Sequence, residues 1–308
     1  MAEKPPVYAE YVALVDVVVV SYNSSEHLRA AVEPVSNDTN SRAIVVDNGS
    51  SDGSVESVAD LPLAIIRSEN LGFAYGCNLG WRAGDAPFVL FLNPDATIDR
   101  DSVLRLVRVT EDPAVGAAAP KIVHPDGELH YSQRRFPRLR SLYAQALFLH
   151  RAFPESDWSD EVIRTPSAYD APGSPDWVSG ACFMVKRETL EELGGLDEGF
   201  FMYWEDTDLC RRLRLRGLDV RYEPEAVAVH VGGASGARSG LVPVLAASRI
   251  RYSKKHRSRA GVAAERLGIA LGALTHMVVA RGGIDMRAGH ARALRQAVMP
   301  RPAVGARA

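Results

Sequence analysis

The sequence predicts an α/β protein: a Rossmann-like, mostly parallel sheet flanked by helices, with a C-terminal helical and basic extension. Three observations carry this prediction. Short β-branched runs without polar alternation, "DVVVVSYN" (16–23) and "AIVV" (43–46), read as strands buried on both faces. Segments with helical spacing separate these runs by short links, the pattern of right-handed crossovers in a parallel sheet. Polar clusters fall where the strands end, and open α/β sheets bind ligands there.

The elements follow in order. Residues 1–13 read as a loose leader with no basic region before an apolar core, so no signal peptide is expected. After the first strand, Leu28, Ala31, Val32 and Val35 share a helical face, with Ser24 or Ser25 as N-cap. "AIVV" is the second strand, Val55, Val58 and Ala59 mark a short helix, and "LAII" (63–66) is the third strand. Ala74, Cys77, Asn78 and Trp81 form the next helical stripe, and "PFVLFL" (87–92) is a fourth strand ending at "NPDA". Beyond it, "AVGAAAP", "WVSGACFMVKR", "DVRYEP" and "EAVAVH" read as further strands. "ETLEELGG" and "WEDTDLCRRLRLRG" read as helices, the first closed by Gly194 or Gly195. The second has acids in its first turn and arginines in its last, as the helix dipole prefers. Residues 130–176, rich in Pro, Arg and aromatics, are expected to form a mobile insertion over the site.

The bulk numbers exclude some classes. With 308 residues, 46% hydrophobic and 24% charged, the composition is that of a soluble globular protein with a substantial core. A net charge of -2 gives no reason to expect nucleic-acid binding. From Arg249 onward, however, thirteen Lys or Arg face two acids, Glu265 and Asp285. The run 249–259 is expected to contact diphosphate or anionic lipid headgroups. Residues 261–283 are apolar but interrupted, too polar to span a membrane. They either lie on one or pack on the domain. Cys77, Cys182 and Cys210 have neither disulfide nor metal spacing, which fits a reducing cytosol.

Four strand-end clusters carry the chemistry: "SYN" (21–23), "DNGSSDG" (47–53), "ENLGFAYGCNLG" (69–80) and "NPDA" (93–96). One alone is ordinary turn chemistry. Four together point to a ligand site, with Asp47 held at its strand end to meet a ligand donor. Gly49 and Gly53 let the backbone approach. Asp95 suits a hard divalent cation beside a diphosphate. In "FFMYWEDTDLCRRL", Glu205, Asp206 and Asp208 follow Phe200, Phe201, Tyr203 and Trp204. Helix-terminal charge alone does not need that aromatic wall, which can pack on sugar rings and make a carboxylate more basic by desolvation. His230 ends an apolar run and is a candidate third metal ligand.

These clusters in this order resemble glycosyltransferase family 2, the inverting nucleotide-sugar transferases of GT-A fold, over residues 14–256. The branch most similar is the bacterial rhamnosyltransferases acting on polyprenyl-diphosphate-linked sugars. The resemblance implies a catalytic domain over 14–256, followed by an amphipathic helix and basic tail over 257–308. It implies that Ser21, Tyr22, Asn23, Asp47, Asn48 and Gly49 bind the nucleotide base, and that Asn70, Gly72 and Asn78 line its ribose and diphosphate. Asn93 stands where the family often has Asp, so the inner sphere of a Mg²⁺ or Mn²⁺ ion on Asp95 and His230 is weakened. Asp206 is implied as catalytic base with Glu205 beside it, and Trp177, Gly180, Ala181, Tyr203 and Trp204 as facing the acceptor. No Gln-x-x-Arg-Trp signature of processive synthases occurs, so a single transfer is expected. The implied donor is dTDP-rhamnose, with UDP-sugars (hexose, GlcNAc or galactofuranose) as the alternative, and the acceptor is a lipid-linked saccharide. The expected location is cytoplasmic, peripheral at the inner face of the membrane, and the sequence leaves a homodimer open. Two rivals are a nucleotidyltransferase, for which "SYNSSEHLRA" lacks the Gly-rich basic loop, and a donor-binding homologue without catalysis.

Overall fold

The β-branched runs become strands because helices cover both sides of them. In the structure, a computed structural model describing residues 13–154, 156–232, 238–279 and 283–299, β1 (Val15–Ser21) is buried at every position. Its side chains alternate. Val15, Val17 and Val19 pack with α1 (Leu28–Ser36), while Val18 and Val20 pack on the other face. β2 (Ser41–Asp47) and β3 (Ala64–Arg67) extend the sheet in parallel, α2 (Phe73–Ala83) covers the second face, and β4 (Phe88–Leu92) pairs with β1.

β5 (Ala96–Ile98) leads to α3 (Arg100–Glu111) and the nine-residue β6 (Val115–Val123). Then come β7 (Leu129–His130), β8 (Gln133–Arg134), α4 (Leu139–Ala146) and α5 (Leu149–Ala152). β9 (Trp177–Val178), β10 (Cys182–Lys186), α6 (Arg187–Leu193), α7 (Glu205–Leu215) and β11 (Asp219–His230) complete the α/β part. Three helices follow: α8 (Arg238–His256), α9 (Arg259–Val279) and α10 (Gly283–Val298). The large sheet runs β3-β2-β1-β4-β10-β6-β11-β5, with β7 on β6, and β8 and β9 form a separate ribbon. β10 is antiparallel to both neighbours, so the sheet is parallel at its first four strands and mixed beyond.

Several local expectations change. The two strands expected at 219–230 are one, with its register shifting between Glu223 and Val227. Pro224 has no N–H for the ladder and sits in that irregularity. Ser24 and Ser25 do not cap α1; His27 is the N-cap. The serine N–H groups instead donate to Ser54 Oγ (2.8 Å) and Asp52 Oδ2 (2.9 Å), fastening the loop after β2. The insertion is not irregular throughout, since it carries β8, α4, α5 and a short helical turn at Pro166–Tyr169.

A third apolar cluster joins α4 to the C-terminal helices through Leu142, Ala246, Ile250, Ile269 and Ala273. The expected boundary at 256/257 falls between two helices that share this core. α9 is long and apolar enough to cross a membrane by length and composition alone, but here it packs on α4, with Glu265 buried in ion pairs with Arg249 and Arg257. The leader, apart from Ala13, and Arg281, Arg301 and Arg307 of the basic tail lie outside the described residues.

Candidate active site

The register of β1 on β2 sets Ser21 beside Asp47. Asp47 is buried, and its Oδ1 accepts the Ser50 N–H at 3.1 Å. Ser50 Oγ accepts the Asn23 N–H (2.9 Å), and Asn23 Oδ1 accepts the Ser51 N–H (2.9 Å), so the two strand-end loops hold each other. Tyr22 projects from them, half exposed. Asn48 is buried and donates to the Gly72 carbonyl at 3.2 Å, and Asn70 Oδ1 accepts the Gly72 N–H at 3.3 Å. Gly49 has φ +80°, and Gly72 has φ +111°. A Cβ on Gly72 would lie 2.4 Å from the Phe201 carbonyl oxygen.

One nucleotide candidate is not available. Asn78 is buried, its amide donates to Leu196 O and Glu198 Oε1, and its carbonyl accepts from Trp81 Nε1 and Leu196 N. Both donors and both lone pairs are used in pinning α2 to the loop after α6. The sequence shows Asn78 on the same stripe as core residues and gives no sign of those distant partners.

The ladder between β5 and β11 pairs Ala96 with His230 and brings Asp95 against the imidazole. His230 Nε2 lies 3.1 Å from Asp95 Oδ1 and 3.4 Å from Asn93 Nδ2. Burial alone would raise the Asp95 carboxyl, but the His230 hydrogen bond and charge hold it below the ordinary value. The set of one carboxylate, one imidazole and one amide fits a divalent cation that takes its remaining oxygens from a diphosphate. His230 Nδ1 is buried without a hydrogen bond. Among the described residues no group of three or more His, Cys, Asp or Glu converges as a closed metal cage. Sequence reasoning missed two further histidines: His130 lies 5.6 Å from His230, ring to ring, and His124 lies 5.2 Å from His130. Burial, with the His230 charge next in effect, pushes His130 down to about 4, so it is a neutral wall.

Three of the five acceptor residues, Trp177, Tyr203 and Trp204, line one cavity, whereas Gly180 and Ala181 lie behind it. A cavity of about 260 Å³ is lined by Arg134, Trp177, Tyr203, Trp204, Asp206 and Thr207, with Gln145, Asp160, Glu161, Val162 and Leu245 completing it. The β8–β9 ribbon sets Arg134 opposite Trp177. Tyr203 (φ +68°) and Trp204 (φ +76°) both adopt left-handed backbone, an uncommon conformation for aromatics and one that clusters at functional sites. Asp206 Oδ2 accepts the Gly180 N–H at 2.9 Å, and Oδ1 accepts the Thr207 N–H at 2.6 Å. A Cβ on Gly180 would lie 3.1 Å from Asp206 Oδ2. Burial pushes the Asp206 carboxyl above the ordinary aspartate value despite these donors and the Arg134 charge. Ala181 O accepts the Asn93 N–H at 2.9 Å, so the Asp95 loop and the Asp206 cavity share one backbone contact.

The other acids take different places. Glu205 is buried and does not line the cavity. Burial, then the Asp206 charge, pushes its carboxyl well above the ordinary value. Asp208 is buried in ion pairs with Arg212, Lys255 and His256. Phe200 is fully buried, so the aromatic wall is Tyr203 and Trp204 with Trp177. Most of the run 249–259 is not a free basic patch, although Lys254 and Arg259 are exposed. Arg249 pairs with Glu161 and Glu265, Arg257 with Glu265, and Arg251 and Lys255 with Asp197. Those acids come from distant segments, which a local charge count cannot see.

Strand-end loops that can receive a nucleotide, a carboxylate–imidazole pair and a half-buried carboxylate in an aromatic-lined cavity fit the nucleotide-sugar-dependent glycosyltransferases of GT-A fold, the class that the comparisons with known proteins show. The chain belongs to glycosyl transferase family 2, whose profile matches residues 16–194. It is 31% identical over 235 residues to the N-acetylglucosaminyl-diphospho-decaprenol L-rhamnosyltransferase of Mycobacterium tuberculosis, covering 70% of this chain and 75% of that one. It is 26% identical to the rhamnosyltransferase WbbL of Escherichia coli, over 70% of this chain and 83% of that protein. Among solved structures, a mannosyltransferase of Pyrobaculum calidifontis in complex with GDP-Man and Mn²⁺ superposes with TM-score 0.57 at 18% identity, covering 96% of this chain and 91% of that one. GalNAc-T7 with UDP, GalNAc and Mn²⁺ does so with TM-score 0.57 at 14% identity, over 82% of this chain and 52% of that one.

Proposed function

We propose that this glycosyltransferase moves one L-rhamnosyl unit from dTDP-rhamnose, with inversion, to a hydroxyl of a polyprenyl-diphosphate-linked saccharide. The observation that carries the chemistry is Asp206, a half-buried carboxylate of raised basicity, fixed by the Gly180 N–H in the aromatic cavity. The donor and acceptor follow the printed activities of the mycobacterial and Escherichia coli relatives. In this reading the acceptor sugar packs on Trp177, Tyr203 and Trp204. Asp206 accepts the hydroxyl proton as that oxygen attacks the anomeric carbon, and the bond to the nucleoside diphosphate breaks on the opposite face. Asp95 and His230, with Asn93 beside them, would hold Mg²⁺ or Mn²⁺, which supplies charge neutralisation to the diphosphate. Ser21, Tyr22, Asn23 and Asp47 hold the base.

The lipid of the acceptor brings the protein to a membrane surface in this proposal. The support is an apolar face: Leu267, Leu274 and Val278 of α9 and Ile284 of α10 are exposed.

The test is transfer and calorimetric binding with dTDP-rhamnose and a panel of UDP-sugars, with and without Mn²⁺. The expected outcome is metal-dependent binding of dTDP-rhamnose alone. Asp206→Asn should keep that binding and lose about 10²–10⁴-fold in transfer, the usual contribution of a general base. Preference for a UDP-sugar overturns the donor; full transfer by the variant removes Asp206 from its role.

A further inference from the structure

Among the described residues Arg134 forms no direct ion pair, although the Asp206 and Asp160 charges act on it from across the cavity. Its guanidinium lies 5.7 Å from the Trp177 ring, its Nε is buried without a hydrogen-bond partner, and no carboxylate among the described residues lies within ion-pair distance. Three acids share the cavity with it, and two are already engaged. Asp160 pairs with Arg164 at 3.0 Å and accepts from Gln145, and Glu161 pairs with Arg249 at 3.0 Å. The third is Asp206. Burial pulls the Arg134 guanidinium below its ordinary value, as for any cation held out of water. A half-buried cation with its Nε shut from water and unpartnered gains most when a ligand brings an anion to it, and the forked guanidinium suits phosphoryl oxygens.

Resting on the transfer reading above, we infer that Arg134 is a specificity-determining residue that binds a phosphoryl group carried by the acceptor sugar itself. The placement gives the source. None of Ser21, Tyr22, Asn23, Asp47, Asn93 and Asp95 lines this cavity, so the anion arrives with the acceptor and not with the donor. The placement also gives the position. Arg134 and Asp206 line one cavity of about 260 Å³, so the reacting hydroxyl and the anion belong to one sugar and its immediate substituent. The acceptor class is therefore a glycosyl phosphate or diphosphate, the first sugar on its carrier. The non-reducing end of a long neutral chain does not fit.

The test compares two acceptors for wild type, Arg134→Gln and Arg134→Lys: a short-alkyl N-acetylglucosaminyl diphosphate and the neutral short-alkyl glycoside of the same sugar. Wild type should favour the diphosphate at least tenfold in kcat/KM. R134Q should erase that preference by raising the diphosphate acceptor's KM at least tenfold more than the neutral acceptor's, with the donor KM unchanged, and R134K should restore part of it. An equal loss on both acceptors with a moved pH profile would make Arg134 a tuner of Asp206 and overturn the proposal. A raised donor KM would assign the phosphoryl group to the donor and overturn it too. Calorimetric titration with inorganic pyrophosphate in EDTA separates this proposal from the transfer reading. If neither acceptor reacts with wild type, the acceptor reading has failed. Arg134 then stands if R134Q binds pyrophosphate at least tenfold more weakly than wild type, and falls if binding is equal.

Discussion

Glu205 and Asp206 are neighbours with opposite surroundings. Asp206 opens on the cavity and keeps two N–H donors, whereas Glu205 is buried with one oxygen lacking any hydrogen bond. A raised carboxyl binds its proton more tightly in the folded state than in the unfolded one. Its stabilising contribution is present at low pH and is lost as pH rises through the folded value. Glu205→Gln mimics the protonated form. Its stability to denaturant should match wild type near pH 4 and exceed it at pH 8; a variant less stable than wild type at both would show that the ionised carboxylate is needed. The acid cluster was plain in the sequence. Its division into a cavity base, a buried carboxyl and the ion-paired Asp208 was not, because each role depends on what the fold packs against it.

At the scale of elements, the donor loop and the aromatic approach to α7 are joined. Phe73 N–H donates to Phe201 O at 2.6 Å, and Gly72 leaves room for that carbonyl. Gly72→Ala adds a methyl against backbone at a left-handed φ, and strain of this kind costs about 1–3 kcal/mol. The variant should lose about that much stability and bind donor more weakly; unchanged unfolding and donor affinity would show that the two loops yield independently. The strand-end clusters at 21–23, 47–53 and 93–96 were legible because a carboxylate or amide ending an apolar run is a local signal. Asn78 was misread because its partners at Leu196 and Glu198 are more than a hundred residues away.

For the whole molecule, the C-terminal helices are bound to the catalytic part by charge as well as by packing. Arg249 lies over the Trp204 ring at 5.0 Å while pairing with Glu161 of the insertion and Glu265 of α9. With four of the six Lys and Arg of 249–259 committed in this way, the proposed membrane contact would rest on apolar area more than on charge. Replacing Leu267, Leu274 and Val278 together by Ser should weaken flotation with anionic liposomes severalfold, while raising the salt concentration should change it little. Salt-sensitive flotation indifferent to the triple substitution would return the contact to the basic residues.

The α/β class, the strands of the first hundred residues, the family and the residues at the strand ends can all be read from the chain before it folds. All of these are written in short-range patterns of polarity and backbone preference. Which polar groups are spent inside the protein and which face a ligand is set by folding. It engages Asn78, Asp208 and most of the basic run, and among the described residues it leaves Arg134 without a direct ion pair in the Asp206 cavity. Hydrogen bonds and ion pairs between distant segments settle those assignments, and no local pattern in the chain records who the partners will be.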